Sequence, residues 1–226
     1  MIPISHVLRC LAALAVILVV AGCATTPTYT FYTLSTMQTV NSTPQAVDRG
    51  DDVTISLSPV SFPSYLDRPQ IVTRSTAHTL VIHEFRRWGG SLETDFVRVL
   101  GENLSTLLDT RRIFLPRQNA PFAIDYRVAI DVKRFDGDLG GQVVLDVDWM
   151  IIVKENKERV IVTKSVIRED TDSRDYESLV SAKSQAVEKL SREIADALRK
   201  IQSNPKSRSG SDSHPLTDKV TGVVVQ

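Results

Sequence analysis

Two consecutive segments between residues 122 and 153 alternate apolar and polar side chains, and a third strand-like segment follows at residues 160–167; this pattern constrains the fold more than any other feature. Residues 122–132 are apolar at every even position, residues 143–153 are apolar at every odd position, and residues 160–167 form the third segment. A period of two indicates strands with one buried and one solvated face, which favours an antiparallel sheet. Turn-forming clusters separate the segments, so we predict a meander of three long strands.

Two helices are predicted on either side of this meander. Ser91 is a candidate N-cap, and apolar residues recur at helical spacing from Leu92 to Leu108; a second periodic stripe runs through residues 175–201. Shorter extended candidates lie earlier in the chain, at residues 28–34, 53–57, 70–74 and 79–83, with Pro59 and Pro63 breaking the chain between them. The predicted fold class is therefore α+β, a mostly antiparallel sheet with two long helices packed on one face in a single domain.

The amino terminus has the layout of a bacterial lipoprotein signal. An apolar run of 11 residues, 11–21, leads into Val20-Ala21-Gly22-Cys23 and then into a polar segment. A membrane-spanning helix needs about 20 apolar residues, so the run fits a signal peptide better. Cleavage before Cys23 would leave that residue to carry a diacylglycerol and an N-acyl chain; ordinary secretory cleavage is the alternative. Because Ala24 rather than Asp follows, we expect an anchor on the periplasmic face of the outer membrane of a Gram-negative bacterium.

These signals divide the chain into four predicted parts. Residues 1–22 form the signal peptide, residues 23–52 the lipidated N-terminus with a first strand and a spacer, and residues 53–202 the α+β domain. Residues 203–226 are polar and lack periodicity, so they are predicted to be a disordered tail.

Charge and cysteine content exclude some classes of function. Removal of residues 1–22 leaves 26 basic against 27 acidic residues, a balance that argues against a nucleic-acid partner. Cys10 leaves with the signal and Cys23 is acylated, so no disulfide is expected. The fold must then be stabilised by its hydrophobic core.

Few residues suggest catalysis. His83-Glu84 begins like a zinc-protease helix, but Arg87 occupies the position of the second histidine. Asp146 and Asp148 lie two apart on one strand face, which is also what a solvated sheet face shows. We predict no metal, no catalytic residues and no cofactor other than the acyl groups on Cys23. A membrane-anchored hydrolase that uses His83 with Asp146 or Asp148 is the alternative.

One loop has the composition of a partner-binding surface. Residues 63–74 combine two prolines, an aromatic side chain, an acid–base pair and a β-branched exit strand, and Trp88 follows in a similar segment. A rigid connection and a partner-facing loop are both consistent with this composition, because Pro69 restricts Arg68 to extended geometry. The candidate partner-binding residues are Tyr65, Leu66, Asp67, Arg68, Pro69, Gln70 and Trp88.

The same segments carry a family resemblance. The run Tyr65-Leu66-Asp67-Arg68-Pro69-Gln70-Ile71-Val72, with Arg87-Trp88, Leu92 and Glu102-Asn103-Leu104, resembles the PqiC-type lipoproteins, and Phe31-Tyr32-Thr33-Leu34 is similar as well. These are auxiliary lipoproteins of ABC-type transport systems with MCE-domain proteins. Gly89-Gly90 stand where the family would have an acidic residue.

The resemblance implies a non-catalytic subunit at the outer membrane. It would dock against a periplasm-spanning MCE-domain protein and help to move phospholipid, which supports membrane integrity. Self-assembly of the chain into a homo-oligomer is a further expectation. A purely structural outer-membrane lipoprotein without a transport partner is the other alternative.

Overall fold

The computed structural model of the protein describes residues 27–38, 53–118, 120–121, 123–153 and 160–203. The strands are β1 (Thr30–Tyr32), β2 (Ile55–Ser61), β3 (Gln70–Thr76), β4 (Thr79–Trp88), β5 (Ile113–Phe114), β6 (Tyr126–Gly137), β7 (Gln142–Val153) and β8 (Val160–Asp170). The helices are α1 (Leu92–Leu108) and α2 (Tyr176–Ser203). The predicted signal peptide, Cys23, most of the spacer and the tail beyond residue 203 lie outside the described residues.

The predicted meander is confirmed. β6 pairs antiparallel with β7, and β7 pairs antiparallel with β8, so that Val147 lies opposite Val132 on one side and Ser165 on the other. The odd-numbered apolar residues of β7 from Val143 to Ile151 are buried, as the alternation predicted. Local sequence pattern and short connections therefore suffice to define this part of the sheet.

The prediction of one mostly antiparallel sheet holds only in part. Strands β5-β2-β6-β7-β8 form a five-stranded sheet and β1-β4-β3 form a separate three-stranded sheet. Among the described residues, three of the six strand pairings are parallel: β1 with β4, β2 with β5, and β2 with β6. Parallel neighbours need a long crossover connection, and here α1 lies between β2 and β6 along the chain.

Both helices cover the five-stranded sheet, as expected. α1 packs against β2 and β5, α2 packs across β6, β7 and β8, and the two helices contact each other. The Ser91 Oγ atom accepts a hydrogen bond from the Thr94 N–H at 3.4 Å, which confirms the predicted N-cap. Within the described residues, neither helix combines the length and apolarity that crossing a membrane requires.

Several strands extend beyond their predicted ends, β2 and β4 among them. β2 continues through Pro59, where its pairing with β6 shifts register between Leu57 and Val60. A proline is tolerated there because an irregular position needs no N–H in the ladder. β4 extends beyond His83 to Trp88, because its last residues pair with β1.

One hydrophobic core joins the two sheets and the helices. Its members from the three-stranded sheet, Ile71, Val72 and Trp88, belong to the same buried cluster as Phe96 of α1, Phe135 of β6 and Leu190 of α2. The half-buried Phe62 packs edge to face against the core residues Phe96 and Phe135, and the three ring centroids are 5.1–6.5 Å apart.

Candidate functional site

The loop of residues 63–70, which we call the partner loop, has a fixed conformation. A single 3₁₀ turn spans Ser64–Leu66, and the Leu66 N–H donates to the Pro63 carbonyl at 3.0 Å. The Arg68 Nε–H donates to the Tyr65 carbonyl at 3.0 Å, and the Trp88 N–H donates to the Pro69 carbonyl at 2.7 Å. The loop is thus fastened to the end of β4.

A fully buried carboxylate, Asp136, holds this loop from below. It accepts hydrogen bonds from the Tyr65 hydroxyl at 2.7 Å, from Arg74 at 2.8–3.1 Å and from Arg134 Nε at 2.7 Å. Asp136 and Arg134 belong to β6 and Arg74 to β3, so one side chain connects both sheets to the partner loop. Charge-assisted, multidentate contacts of this kind are among the stronger hydrogen bonds in proteins.

The pKa values of these groups reflect their contacts. Burial raises the pKa of Tyr65 to about 12, and its hydrogen bond to the Asp136 carboxylate acts in the same direction. Burial opposes ionisation of Asp136, but the hydrogen bonds from Arg74, Tyr65 and Arg134 outweigh it and lower the pKa of this carboxyl below its usual value. Asp136 is therefore an ionised acceptor and Tyr65 a neutral donor at physiological pH.

A buried lysine lies beside this cluster. The Lys183 side chain projects from α2 and its Nζ atom donates to the Phe135 carbonyl at 2.5 Å. Its Nζ lies 4.1 Å from the centroid of the Phe135 ring and 5.8 Å from that of Trp88. Burial lowers the pKa of Lys183 to about 7, although the nearby Asp136 charge partly offsets this effect. Burial of the charged ammonium form at this position therefore costs free energy of folding.

A shallow groove of about 280 Å³ runs between the partner loop and the start of α1. It is lined by Phe62, Leu66, Asp67, Arg68, Pro69, Gly90, Ser91, Leu92 and Glu93. The groove offers a protein partner an exposed acid, a base and a proline on a fixed backbone.

The structure places the predicted partner-binding residues at different depths. Asp67 and Pro69 are exposed, and Tyr65, Arg68 and Gln70 are half-buried. Leu66 and Trp88 are only 5% and 4% exposed, so they support the loop from the core. Of the predicted residues, Asp67 and Pro69 are therefore the most accessible, and Tyr65, Arg68 and Gln70 are partly accessible.

The groups that hold this loop in place do not stand out in the amino-acid sequence. Asp136 opens the turn-forming cluster Asp136-Gly137-Asp138-Leu139-Gly140-Gly141 that follows the first predicted strand of the meander, yet the structure buries it in β6. Lys183 lies four residues after Leu179 and three before Ala186, on the apolar stripe of α2. A basic residue at a stripe position was a signal for a buried charge, whereas the contribution of Arg74 was not visible from spacing.

The alternative hydrolase site is not brought together. His83 lies in the three-stranded sheet, where its ring is within 2.8 Å of both the Thr73 and the Tyr176 hydroxyl oxygens. Burial lowers the pKa of His83, and the neighbouring Arg86 charge acts in the same direction. Asp146 and Asp148 belong to β7 in the other sheet.

The two aspartates of β7 are part of a charged face. The Lys164 Nζ atom lies 3.1 Å from Asp146 Oδ1, and the Lys133 Nζ atom lies 3.8 Å from Asp148 Oδ2. Asp146 and Asp148 are thus charge-paired side chains on a half-exposed sheet face. In the part of the chain that the structure describes, no three His, Cys, Asp or Glu side chains are grouped as metal ligands.

Comparison with solved structures supports the fold. A crystal structure of an uncharacterized protein matches with a TM-score of 0.60 at 20% identity, covering 76% of this chain and 99% of that one. A crystal structure of a Xanthomonas campestris protein matches with a TM-score of 0.55 at 21% identity, covering 80% of this chain and 100% of the other. No curated protein matches the chain.

The sequence itself carries the family assignment. Residues 32–195 match the family described as the ABC-type transport auxiliary lipoprotein component. This range includes the partner loop, both sheets except the first two residues of β1, and most of α2. The chain therefore belongs to the family of ABC-type transport auxiliary lipoprotein components, and the resemblance drawn from its sequence is confirmed.

Proposed function

We propose that this protein is an outer-membrane-anchored periplasmic lipoprotein that serves as a non-catalytic auxiliary subunit of an MCE/ABC-type lipid transport system. The family match over residues 32–195 is the observation that carries the proposal. Its cargo would be phospholipid, and its direct partner a periplasm-spanning MCE-domain protein that touches the partner loop.

The anchor in this proposal is the acylated Cys23, with its diacylglycerol and N-acyl chain. Two or more acyl chains hold a protein stably on a bilayer, so no spanning helix is required. Mass spectrometry of the protein purified from membranes should show the acyl mass on Cys23. A Cys23→Ser variant that still fractionates with the outer membrane would contradict this anchor.

The partner loop is proposed to be the docking surface because its exposed residues stand on a rigid support. Asp67 and Arg68 border the groove, while Asp136 binds the Tyr65 hydroxyl and the Trp88 N–H binds the Pro69 carbonyl. A preorganised loop loses little conformational entropy on binding, so its contacts contribute more fully to affinity.

The test is affinity purification of the lipidated protein from membranes, with the recovered partners identified by mass spectrometry. An Asp67→Ala/Arg68→Ala variant should recover less of the MCE-domain partner, while a Glu188→Ala/Arg192→Ala variant serves as the control. That control removes another surface acid–base pair, on the exposed side of α2. Equal recovery by both variants would exclude the loop as the contact, and recovery of no transport component would favour a purely structural lipoprotein.

A further inference from the structure

Three aromatic side chains and one arginine form an exposed face on the three-stranded sheet. Tyr29 and Phe31 lie at β1, and Phe85 and Arg87 lie on the neighbouring strand β4. β1 and β4 are parallel, with Phe31 opposite Arg87, and the Tyr29 and Phe85 rings are 5.5 Å apart. We call these four residues the aromatic face. Tyr29, Phe31 and Phe85 remain 47%, 63% and 39% exposed, which is unusual for rings of this size.

The side chains on the opposite side of the same strands pack against other parts of the protein. Tyr32 contacts the ring of Tyr176, with centroids 6.0 Å apart, and Trp88 is buried in the core. Arg86 lies over the Tyr176 ring at 5.4 Å. The aromatic face is therefore the side of β1 and β4 that the fold leaves uncovered in the described part of the chain.

Chain length ties this face to the proposed anchor. Tyr29 follows Cys23 by six residues. Even a fully extended chain covers at most roughly 20 Å over that distance. If Cys23 is acylated, β1 must stay within that distance of the bilayer. A tethered surface meets the lipid at high effective concentration, so a weak contact becomes populated.

The chemistry of the face fits the headgroup region of a bilayer. Tyrosine side chains concentrate at membrane interfaces, where the ring meets apolar groups and the hydroxyl meets polar ones. Phenylalanine side chains supply apolar area at the boundary between headgroups and acyl chains. The Arg87 guanidinium lies 4.6 Å over the Tyr29 ring and pairs with the Glu84 carboxylate at 2.5 Å, so it fixes the Tyr29 ring and leaves the lipid contact to the aromatic side chains.

The size of the face argues against a second protein copy as its occupant. An aromatic side chain can bury about 200 Å², so the exposed fractions together offer roughly 300 Å². A stable protein interface buries about 800 Å² on each partner. A lipid surface places no such requirement on one small patch, because the acyl anchor supplies the main affinity.

From this placement we propose that the aromatic face rests on the phospholipid surface of the membrane that holds the anchor. The inference depends on the proposed acylation of Cys23, and it adds that the domain lies on the bilayer in one orientation. The three-stranded sheet then faces the lipid, and its aromatic rings contact the headgroups.

Photocrosslinking in intact membranes tests this orientation. The full-length chain is expressed with p-benzoylphenylalanine in place of Phe31 or of Phe85. The matched control carries it in place of Val162, which is 69% exposed on the edge strand β8 of the other sheet. After illumination, mass spectrometry of the chain reads both the acyl mass on Cys23 and any covalent adduct.

We expect phospholipid adducts several-fold more abundant at positions 31 and 85 than at position 162. Adducts to a second copy or to another polypeptide would overturn the proposal, as would equal lipid labelling at position 162 or no adduct on acylated chains. Chains without the acyl mass would refute the anchor itself and this inference with it. The two failures are therefore distinguishable in one spectrum.

Discussion

Replacing the buried Lys183 with methionine should stabilise the protein at neutral pH. The ordinary lysine pKa of 10.5 falls to about 7 in the fold. Each unit of that shift corresponds to about 1.4 kcal/mol, so near pH 7 the folded protein bears a cost on the order of 4 kcal/mol. Lys183→Met removes this cost and loses the hydrogen bond to the Phe135 carbonyl, leaving an expected gain of about 1–4 kcal/mol.

The same variant should lose a dependence of stability on pH. Between pH 7 and 10.5 the unfolded lysine keeps its proton while the folded one has lost it, so unfolding takes up a proton and the stability of the wild type rises with pH. The rise from pH 7 to pH 9 amounts to about 2 kcal/mol for this one group. The difference between Lys183→Met and wild type should therefore shrink over that interval.

Urea denaturation followed by the fluorescence of Trp88 and Trp149, both buried, measures these free energies of unfolding. Lys200→Met is the matched control, because it makes the same change at an exposed position in the last turn of the same helix. A Lys183→Met variant that is less stable than wild type at pH 7, or that keeps the wild-type pH slope, would refute the reasoning.

Further substitutions test the contacts around the partner loop by the same denaturation assay. Asp136→Ala should lower the free energy of unfolding by about 3 kcal/mol, since it leaves Arg74 and the Tyr65 hydroxyl without their shared acceptor; an unchanged midpoint would contradict this role. Tyr65→Phe should cost about 1 kcal/mol, and no cost would mean that its hydroxyl bond adds nothing. Gly137→Ala should cost about 1–3 kcal/mol because its Cβ would meet the Gln142 carbonyl oxygen at 2.8 Å, whereas Gly90→Ala, with no atom within 4 Å, should be neutral.

The sequence was sufficient for the elements whose contacts are local. The meander follows from alternation and short turns, and α1 follows from its Ser91 cap and apolar stripe, because neighbours in the chain are neighbours in space. The parallel pairing of β2 with β6 was not predictable, since about 70 residues separate Ile55 from its partner Tyr126. Alternation shows that a strand has a buried face, but it does not show which strand lies beside it.

The same distinction between local and long-range contacts applies to the candidate site. The composition of residues 63–70 identified a distinctive loop, because prolines and an acid–base pair are visible in a short window. The support of that loop depends on Asp136 and Arg74, which are 62 positions apart and meet only in the folded chain. A charge that is paired over such a distance looks like any surface charge in the sequence.

The segment that follows β1 has a mechanical consequence. Leu34 and Met37 donate backbone N–H bonds to Asp95 and Asn103 of α1, and Ser35 donates to the Ser184 hydroxyl of α2. Arg98 also donates to the Leu34 carbonyl. A pull applied from the amino-terminal side would load β1 first, because this strand precedes these contacts in the chain. Beyond β1, the tension would be shared by several bonds to two long helices.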